Sequence, residues 1–437
     1  MSEALEKVQD RTSQVSLECD EFTHWDTQLA TRQATFDALV LDAGLRQSLA
    51  TVRALGRRGL RVAALGTTSG VPTFSSRWCK QAFVCPADEG TEEYFSYLEQ
   101  LLDRYKVGVL ITSSDATLSL IRQHREQLET KVRIALAKEP ALGIAVNKER
   151  TLEVAKRLGL SIPRALSVEA VSEVESALDE IGLPAIIKPT ESWGWNEAEG
   201  MRLACKLVTS VDEAKIVVKD FTRFGGKVLF QQFITGRTDS DSLIYANNQI
   251  YACYAQWHTR IVGGESAVRQ SIAVPSDIGN QAERLVREID LEGCSEVEFR
   301  RDGAEKPYLM EINPRLWAST ELGIRSGVDF PYLLYQWASG EKIDKVESYP
   351  VGARLRYLKG DVLNTAAALI PSRQRGRPEM EKTPAARAIL DFLLTFFSPM
   401  GYDCVDWKDP LPVWTSLAGF VRDIFRWAGK SFRKKAS

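Results

Sequence analysis

The residues with the clearest chemical potential lie in two short acidic stretches. In Leu309-Met310-Glu311-Ile312-Asn313-Pro314-Arg315, apolar and polar residues alternate. On a strand, Met310 and Ile312 would face one side while Glu311, Asn313 and Arg315 face the other. Upstream, Glu296-Val297-Glu298-Phe299 alternates in the same way, with Glu298 on the polar face. The connection Arg301-Asp302-Gly303-Ala304-Glu305-Lys306 is rich in turn formers, so the two strands can close into a hairpin. A turn centred near Ala304–Glu305 sets Glu298 opposite Glu311. Like charges placed opposite one another are destabilising unless a cation lies between them. Two carboxylates and a carboxamide oxygen form a hard, all-oxygen set suited to Mg²⁺, which also retains waters and substrate phosphates. Arg315 can meet phosphate oxygens in a planar, bidentate manner. The plainer alternative is a solvated hairpin face with incidental acids.

Composition removes several competing chemistries. The 437 residues carry 56 Lys and Arg against 58 Asp and Glu, so there is no whole-chain case for binding nucleic acid. His24, His124 and His258 are far apart and no Cys-x-x-Cys occurs, which argues against zinc. The dinucleotide fingerprint is missing, since no Gly-x-Gly occurs, and Gly225-Gly226-Lys227 runs into Val228 rather than the Ser or Thr of a phosphate loop. His-Glu-x-x-His and Gly-x-Ser-x-Gly are absent as well. Seven cysteines without a recognisable signal peptide read as reduced thiols and a cytoplasmic location. No run of 18 apolar residues exists to span a membrane.

The elements that must position the acidic pair follow from periodicity. Residues 1–36 read as a loosely ordered lead-in. From 37 to 144, strands at Ala38–Leu41, Arg61–Leu65, Val107–Ile111 and Val132–Leu136 alternate with helices near Arg46–Leu55 and Ala116–Leu128, which indicates a parallel α/β sheet. Its strand ends carry Asp42-Ala43-Gly44 and Ser113-Ser114-Asp115, the latter most simply a helix N-cap. From 145 to 340 the order becomes α+β. Helices are expected near Lys148–Leu158, Val171–Ile181, Val211–Phe221 and Ile278–Ile289, and strands at Pro184–Lys188, Met201–Leu207, Lys227–Phe233, Ser242–Ala246, Gln249–Trp257, Ser295–Arg300 and Pro307–Ile312.

In this order the sequence resembles the ATP-grasp superfamily, most nearly its carboxylate–amine ligases and the carbamoyl-phosphate synthetase-like group. Asn147-Lys148 followed by a helix and Gly159-Leu160-Ser161-Ile162-Pro163 resembles the family's first lysine segment, and Ala185-Ile186-Ile187-Lys188-Pro189 its second. Lys227 to Gly236 resembles the strand that receives adenine. Glu298 with Glu311-Ile312-Asn313-Pro314-Arg315 resembles the metal and phosphate signature. The resemblance covers roughly residues 37–340. It implies a parallel-sheet domain, then a two-lobed ATP-grasp core, with a helical extension over 341–437.

The resemblance also implies roles. ATP would be held by Lys148, Lys188, the strand residues Gln232, Phe233 and Ile234, and Asp239 at the ribose. Many family members have Glu where Gln232 stands, a change that backbone readout of adenine survives. Lys188 and Arg315 would act on the transferring phosphate, and Glu298, Glu311 and Asn313 would hold Mg²⁺, with Mn²⁺ as the substitute. Ser192-Trp193-Gly194-Trp195-Asn196 stands where the family has a glycine-rich flap, with Gly194 and Gly200 as candidate hinges and the tryptophans as a lid. Arg260 and Arg269, flanking Gly263-Gly264-Glu265-Ser266, are candidates for a substrate carboxylate, with solvated loop arginines as the competing reading.

These assignments imply an ATP-dependent ligase that joins a small-molecule carboxylate to an amine. A bicarbonate-using carboxylase or carbamoyl-forming enzyme, and a non-catalytic Mg-ATP-binding protein, remain as other classes. A homodimer is left open. Finally, apolar residues at Val413, Leu417, Phe420, Val421, Ile424, Phe425, Ala428 and Phe432 have helical spacing, with Arg422, Arg426, Lys430, Arg433, Lys434 and Lys435 elsewhere on the same segment. Two readings compete for 412–437: a helix docked on the protein's own core, or a peripheral contact with the inner face of a membrane.

Overall fold

A computed structural model describes residues 35–195, 200–224, 226–262, 265–369 and 384–422. The lead-in up to residue 34, Asn196, Gly263, Gly264 and the 423–437 part of the basic segment lie outside the described residues. The chain forms two compact units, one from residues up to 135 together with those from 402 onward, the other from 136 to 401.

The first unit is a parallel sheet with helices between its strands. Its elements are β1 (Thr35–Val40), α1 (Arg46–Arg57), β2 (Val62–Gly66), β3 (Cys79–Val84), α2 (Glu92–Arg104), β4 (Lys106–Ile111), α3 (Asp115–Gln123), α4 (Arg125–Glu129) and β5 (Arg133–Ile134). The strand order is β3-β2-β1-β4-β5, with every pairing parallel. The apolar runs located β1, β2 and β4. They did not locate β3, an edge strand whose Lys80 and Gln81 dilute the pattern. The helix expected over 116–128 is broken at His124, whose ring stacks on Phe95 with centroids 3.8 Å apart.

At the carboxyl edge of this sheet, the two candidate strand ends meet in a structural role. Asp42 is fully buried, and its carboxylate accepts from Thr112 Oγ1 at 3.1 Å, Ser113 N at 2.8 Å, Ser114 Oγ at 2.8 Å and Thr117 Oγ1 at 2.9 Å. Ser114 is the N-cap of α3, accepting from Thr117 N at 3.2 Å. The returning chain is fastened to α1 by a buried ion pair, Arg53 Nε to Asp409 Oδ2 at 2.9 Å, which Ser76 Oγ joins at 2.6 Å. Residues 411–422 are helical and leave Trp414, Leu417 and Val421 exposed, so in the described part of the tail these apolar side chains are not docked on a core.

The second unit contains α5 (Ala141–Val146), α6 (Lys148–Arg157), β6 (Ala165–Val168), α7 (Val174–Ile181), β7 (Ala185–Pro189), β8 (Trp193–Trp195), β9 (Gly200–Arg202), β10 (Lys206–Val208), α8 (Val211–Thr222) and β11 (Val228–Gln232). There follow β12 (Thr238–Ala246), β13 (Gln249–Val262), β14 (Glu265–Ile272), α9 (Ser276–Glu288), β15 (Gly293–Arg301), β16 (Pro307–Asn313), α10 (Thr320–Arg325), α11 (Phe330–Ser339), β17 (Arg354–Arg356), α12 (Leu358–Ala368) and α13 (Ala385–Leu394). A small antiparallel sheet runs β10-β7-β11-β6, and the apolar faces of α7 and α8 close over Ile187 and Phe230. A larger antiparallel sheet runs β16-β15-β12-β13-β14-β17.

The strands of the larger sheet exceed the sequence expectation. β13 continues through Arg260, and β14 occupies what read as a loop. The cause is polar residues buried inside the sheet: Ser240, Ser242, Gln256, Ser266 and Ser271 are all buried and break the apolar alternation that marks strands. The expected flap also differs. Trp193–Trp195 pair antiparallel with Gly200–Arg202 as β8 and β9, and Gly200 lies so close to the Trp193 indole that a Cβ there would fall 2.7 Å from the ring. Gly200 is therefore a packing requirement under a tryptophan rather than a hinge.

Candidate active site

The hairpin formed by β15 and β16 brings the acids together as their spacing demands. Glu298 pairs directly with Glu311, and Glu296 with Asn313. A bulge after Glu298 shifts the remaining register, and Glu305 takes a left-handed turn conformation with φ of 63°. Asn313 Nδ2 donates to Glu298 Oε1 at 3.1 Å and to Glu296 Oε2 at 3.4 Å, and its Oδ1 accepts from Arg315 Nη2 at 3.5 Å. Burial pushes the Glu298 carboxyl well above the usual carboxylate range, and the charges of Glu296 and Glu311 push it further. Glu296 is also raised by burial, with Arg269, Ser240, Arg315 and Gln256 working against the shift.

Glu296 is the residue that sequence reasoning passed over. It accepts from Ser240 Oγ at 3.1 Å and Gln256 Nε2 at 3.0 Å, which ties the acidic face to β12 and β13. The signal was present: Glu296 lies two residues before Glu298 and therefore on the same strand face.

Both candidate lysines reach this region from separate elements. Lys148 opens α6, behind an Asn147 N-cap that accepts from Arg150 N at 3.0 Å. Its ammonium donates to Ser192 Oγ at 2.9 Å and lies 3.8 Å from Glu311 Oε2. A buried cation at a helix N-terminus opposes the helix dipole, so its place is explained by the carboxylate beside it. Lys188 is buried in β7, paired with Leu229 of β11, and its charge acts on Glu298. Next to them, Gln231 Nε2 approaches Met310 Sδ at 3.4 Å, and Leu309 N donates to Ser161 O at 2.9 Å, joining β16 to the lysine-bearing segments.

The remaining candidates separate into two groups. Gln232 ends β11, its N–H bonded to Arg164 O at 2.9 Å; Phe233 and Ile234 continue beyond the strand, with the Arg300 guanidinium 5.3 Å above the Phe233 ring. Arg269 acts electrostatically on both Glu296 and Glu298. Two others have structural partners instead. Asp239 is fully buried between Arg301 Nε at 2.5 Å and Arg237 Nε at 3.0 Å. Arg260 Nε lies 2.7 Å from Asp361 Oδ1, and its Nη2 donates to Thr365 Oγ1 and to the Ala388 carbonyl, which binds the sheet to α12 and α13.

Among the described residues, no three His, Cys, Asp or Glu side chains converge as a ready-made metal cage. The donor set that is present is Glu298, Glu311 and the carboxamide of Asn313. Glu296 and Glu311 raise the proton affinity of Glu298, and a hard dication would relieve that repulsion. For Asn313 to contribute its oxygen, the carboxamide must turn away from its present donation to Glu298.

Known proteins resemble this chain in part of its sequence and in its fold. A family model described as ATP-grasp in the biosynthetic pathway with Ter operon matches residues 258–360, the stretch that carries the acidic hairpin. The carbamoyl phosphate synthase large chain of Methanoculleus marisnigri is 24% identical over 219 residues, covering 47% of this chain and 20% of that protein. The D-alanine–D-alanine ligase of Neisseria meningitidis is 24% identical over 196 residues, covering 40% of this chain and 58% of the ligase. The alignments thus span about a fifth of the first relative and less than two thirds of the second. The N5-carboxyaminoimidazole synthetase of Staphylococcus aureus, solved with ADP, superposes with a TM-score of 0.56 at 15% identity, over 76% of this chain and 83% of that one. A stretch of this chain thus matches an ATP-grasp family model, and its fold is that of ATP-grasp proteins.

Proposed function

We propose that this protein is an ATP-dependent ligase that joins a carboxylate to an amine. The observation that carries this reading is the opposed Glu298–Glu311 pair, with Asn313 beside it and Lys148 at 3.8 Å. Glu298, Glu311 and Asn313 would hold Mg²⁺, which when bound neutralises charge on the transferring phosphate. Lys148, Lys188 and Arg315 would meet phosphate oxygens, and such positioned cations supply most of the catalysis in phosphoryl transfer. Phe233 and Ile234 would receive adenine. Asp239 is tied to Arg237 and Arg301 and so is engaged in structure rather than at a ribose. Arg269, on the acidic face, is the better candidate for the acid substrate than Arg260, which Asp361 already engages.

The chemistry follows from these roles. The acid's carboxylate oxygen attacks the terminal phosphorus of ATP and ADP leaves, giving an acyl phosphate. The amine adds to the acyl carbon, phosphate departs, and the amine proton passes to solvent or to the leaving phosphate. No protein nucleophile is needed. The match to a D-alanine–D-alanine ligase favours ligation, whereas the matches to carbamoyl phosphate synthase large chains favour a second reading in which bicarbonate is the acid.

The test is ADP and phosphate release by the full chain with Mg-ATP and panels of acids and amines. Release that needs both an organic acid and an amine is expected. Release with bicarbonate and no amine would transfer the assignment to the second reading, and nucleotide binding without release under every combination would overturn both. For 412–437, flotation of the full chain with anionic vesicles separates the two readings, a helix docked on the protein itself and a peripheral membrane contact.

A further inference from the structure

Glu296 and Glu298 share one face of β15, yet the protein holds the two carboxylates differently. Across the hairpin Glu298 is paired with Glu311, and Glu296 with Asn313. One oxygen of Glu296 is already filled. Its Oε1 accepts from Ser240 Oγ at 3.1 Å and from Gln256 Nε2 at 3.0 Å, and Gln256 Nε2 in turn reaches Ser319 Oγ at the N-cap of α10. Glu296, Ser240, Gln256 and Ser319 are all buried, so the carboxylate is fastened from β12, β13 and α10 at once. Its other oxygen, Oε2, accepts from Asn313 Nδ2 at 3.4 Å.

Asn313 thus shares its amide nitrogen between two acids, 3.1 Å from Glu298 Oε1 and 3.4 Å from Glu296 Oε2. A carboxamide has an acceptor oxygen at one end and two N–H donors at the other. For its oxygen to face a cation, its nitrogen must point elsewhere and find an acceptor there. Glu298 cannot be that acceptor while its own oxygens serve the cation. Glu296 can, because it is fixed in place and already touches the nitrogen.

We propose that Glu296 is a positioning residue, which takes the Asn313 amide nitrogen and so turns the Asn313 oxygen toward the cation that Glu298 and Glu311 would hold. The role rests on Glu298, Glu311 and Asn313 being the metal set. Residues that orient a metal ligand in this way typically contribute about 10–100-fold to metal affinity. Direct ligation by Glu296 fits less well. A cation at its Oε1 would displace two buried donors, and its cross-strand partner is Asn313 rather than Glu311.

Mn²⁺ binding to the full chain with ADP tests it, read by electron paramagnetic resonance against a protein-free Mn²⁺–ADP blank, with thermal melts as the check on folding. Glu296→Ala should weaken Mn²⁺ binding about tenfold or more. Glu296→Gln should stay within about threefold of the native chain. Its side-chain oxygen still accepts from Asn313, and its NH₂ can be taken by Gln256 Oε1, which has no hydrogen-bond partner among the described residues. The sharper comparison is the double variant Glu296→Ala with Asn313→Ala, which should bind Mn²⁺ no more weakly than Asn313→Ala alone. Should Glu296→Ala fail to fold, Glu296→Met keeps the volume, offers only a weak acceptor and takes its place in the comparison. Losses that multiply in the double variant would mean that Glu296 acts on the cation itself, and they overturn the proposal. So does a folded Glu296→Ala chain that binds Mn²⁺ as tightly as the native one. A native chain that binds no Mn²⁺ above the blank overturns the metal set, and the role of Glu296 with it.

Discussion

In the first unit, Asp42 is fully buried and accepts hydrogen bonds from Thr112, Ser113, Ser114 and Thr117; in the second, Glu298 faces Glu296 and Glu311 and takes the amide of Asn313. Burial raises the proton affinity of both carboxyls, but their surroundings act in opposite directions. Around Asp42 the hydroxyl and backbone donors pull the pKa back down, while around Glu298 two further carboxylates push it up. A carboxylate whose lone pairs are filled by protein donors is a fastening point. One surrounded by other carboxylates has unmet demand for positive charge, which is the condition for recruiting a cation.

Removing a member of each cluster should therefore have opposite consequences. The largest effect expected is on turnover. Glu311→Ala should lower ADP release about a thousandfold, ~4 kcal/mol of transition-state stabilisation, while the melting temperature holds or rises because a like charge has been removed. Steady-state kinetics beside a thermal melt check both halves, and retained activity would remove Glu311 from the site. Asp42→Ala should act the other way. It leaves buried hydroxyls and the Ser113 N–H without an acceptor, and should cost about 3 kcal/mol of stability in chemical denaturation. A loss under about 1 kcal/mol would undo the contrast between the clusters.

A third carboxylate refines the comparison. Asp239 and Asp241 share one face of β12 and both are fully buried, but only Asp239 has arginine partners. Neither oxygen of Asp241 makes a hydrogen bond of normal geometry among the described residues, and burial pushes its pKa from 3.8 up to about 8. The native state thus holds a proton that the unfolded chain releases. The associated stability is fully present below pH 3.8 and is lost progressively as pH rises to about 8. Asp241→Asn should remove that slope and gain on the order of 5 kcal/mol at pH 8 relative to the native chain, with little difference at pH 4. Denaturation curves at the two pH values measure it, and a native profile that is flat between them would show that the proton is not held.

Much of the site was legible because strand alternation is a local property. Glu298, Glu311 and Asn313 share a face through a period of two, and the turn residues between them fix the pairing to within one residue; the bulge after Glu298 is the one shift they did not reveal. The lysines were legible by resemblance, at the start of a helix and near the end of a buried strand. Less visible were the elements whose pattern is masked by burial of polar residues. β14 carries Ser266 and Ser271 inside a sheet, and so did not read as a strand. Glu296 shares the face of Glu298 by the same period of two, but its inward bonds to Ser240 and Gln256 come from other strands and leave no local mark.

The sequence alone determined the hairpin, the alternation of the parallel sheet and the lack of Cys-x-x-Cys, Gly-x-Gly and phosphate-loop motifs, because each rests on residues near one another in the chain. Only the tertiary structure decided which charged groups are already spent. Asp239 and Arg260 looked like ligands for a nucleotide and an acid, yet they are engaged by Arg301 and Asp361, which lie 62 and 101 positions away in the chain. It also divided the region after residue 340, with 341–401 in the second unit and 402–422 fastened to the first through Asp409 and Arg53. The physical reason is common to these cases. Whether a charge is available depends on what desolvates it and what pairs with it, and both are set by contacts between segments that no local pattern relates.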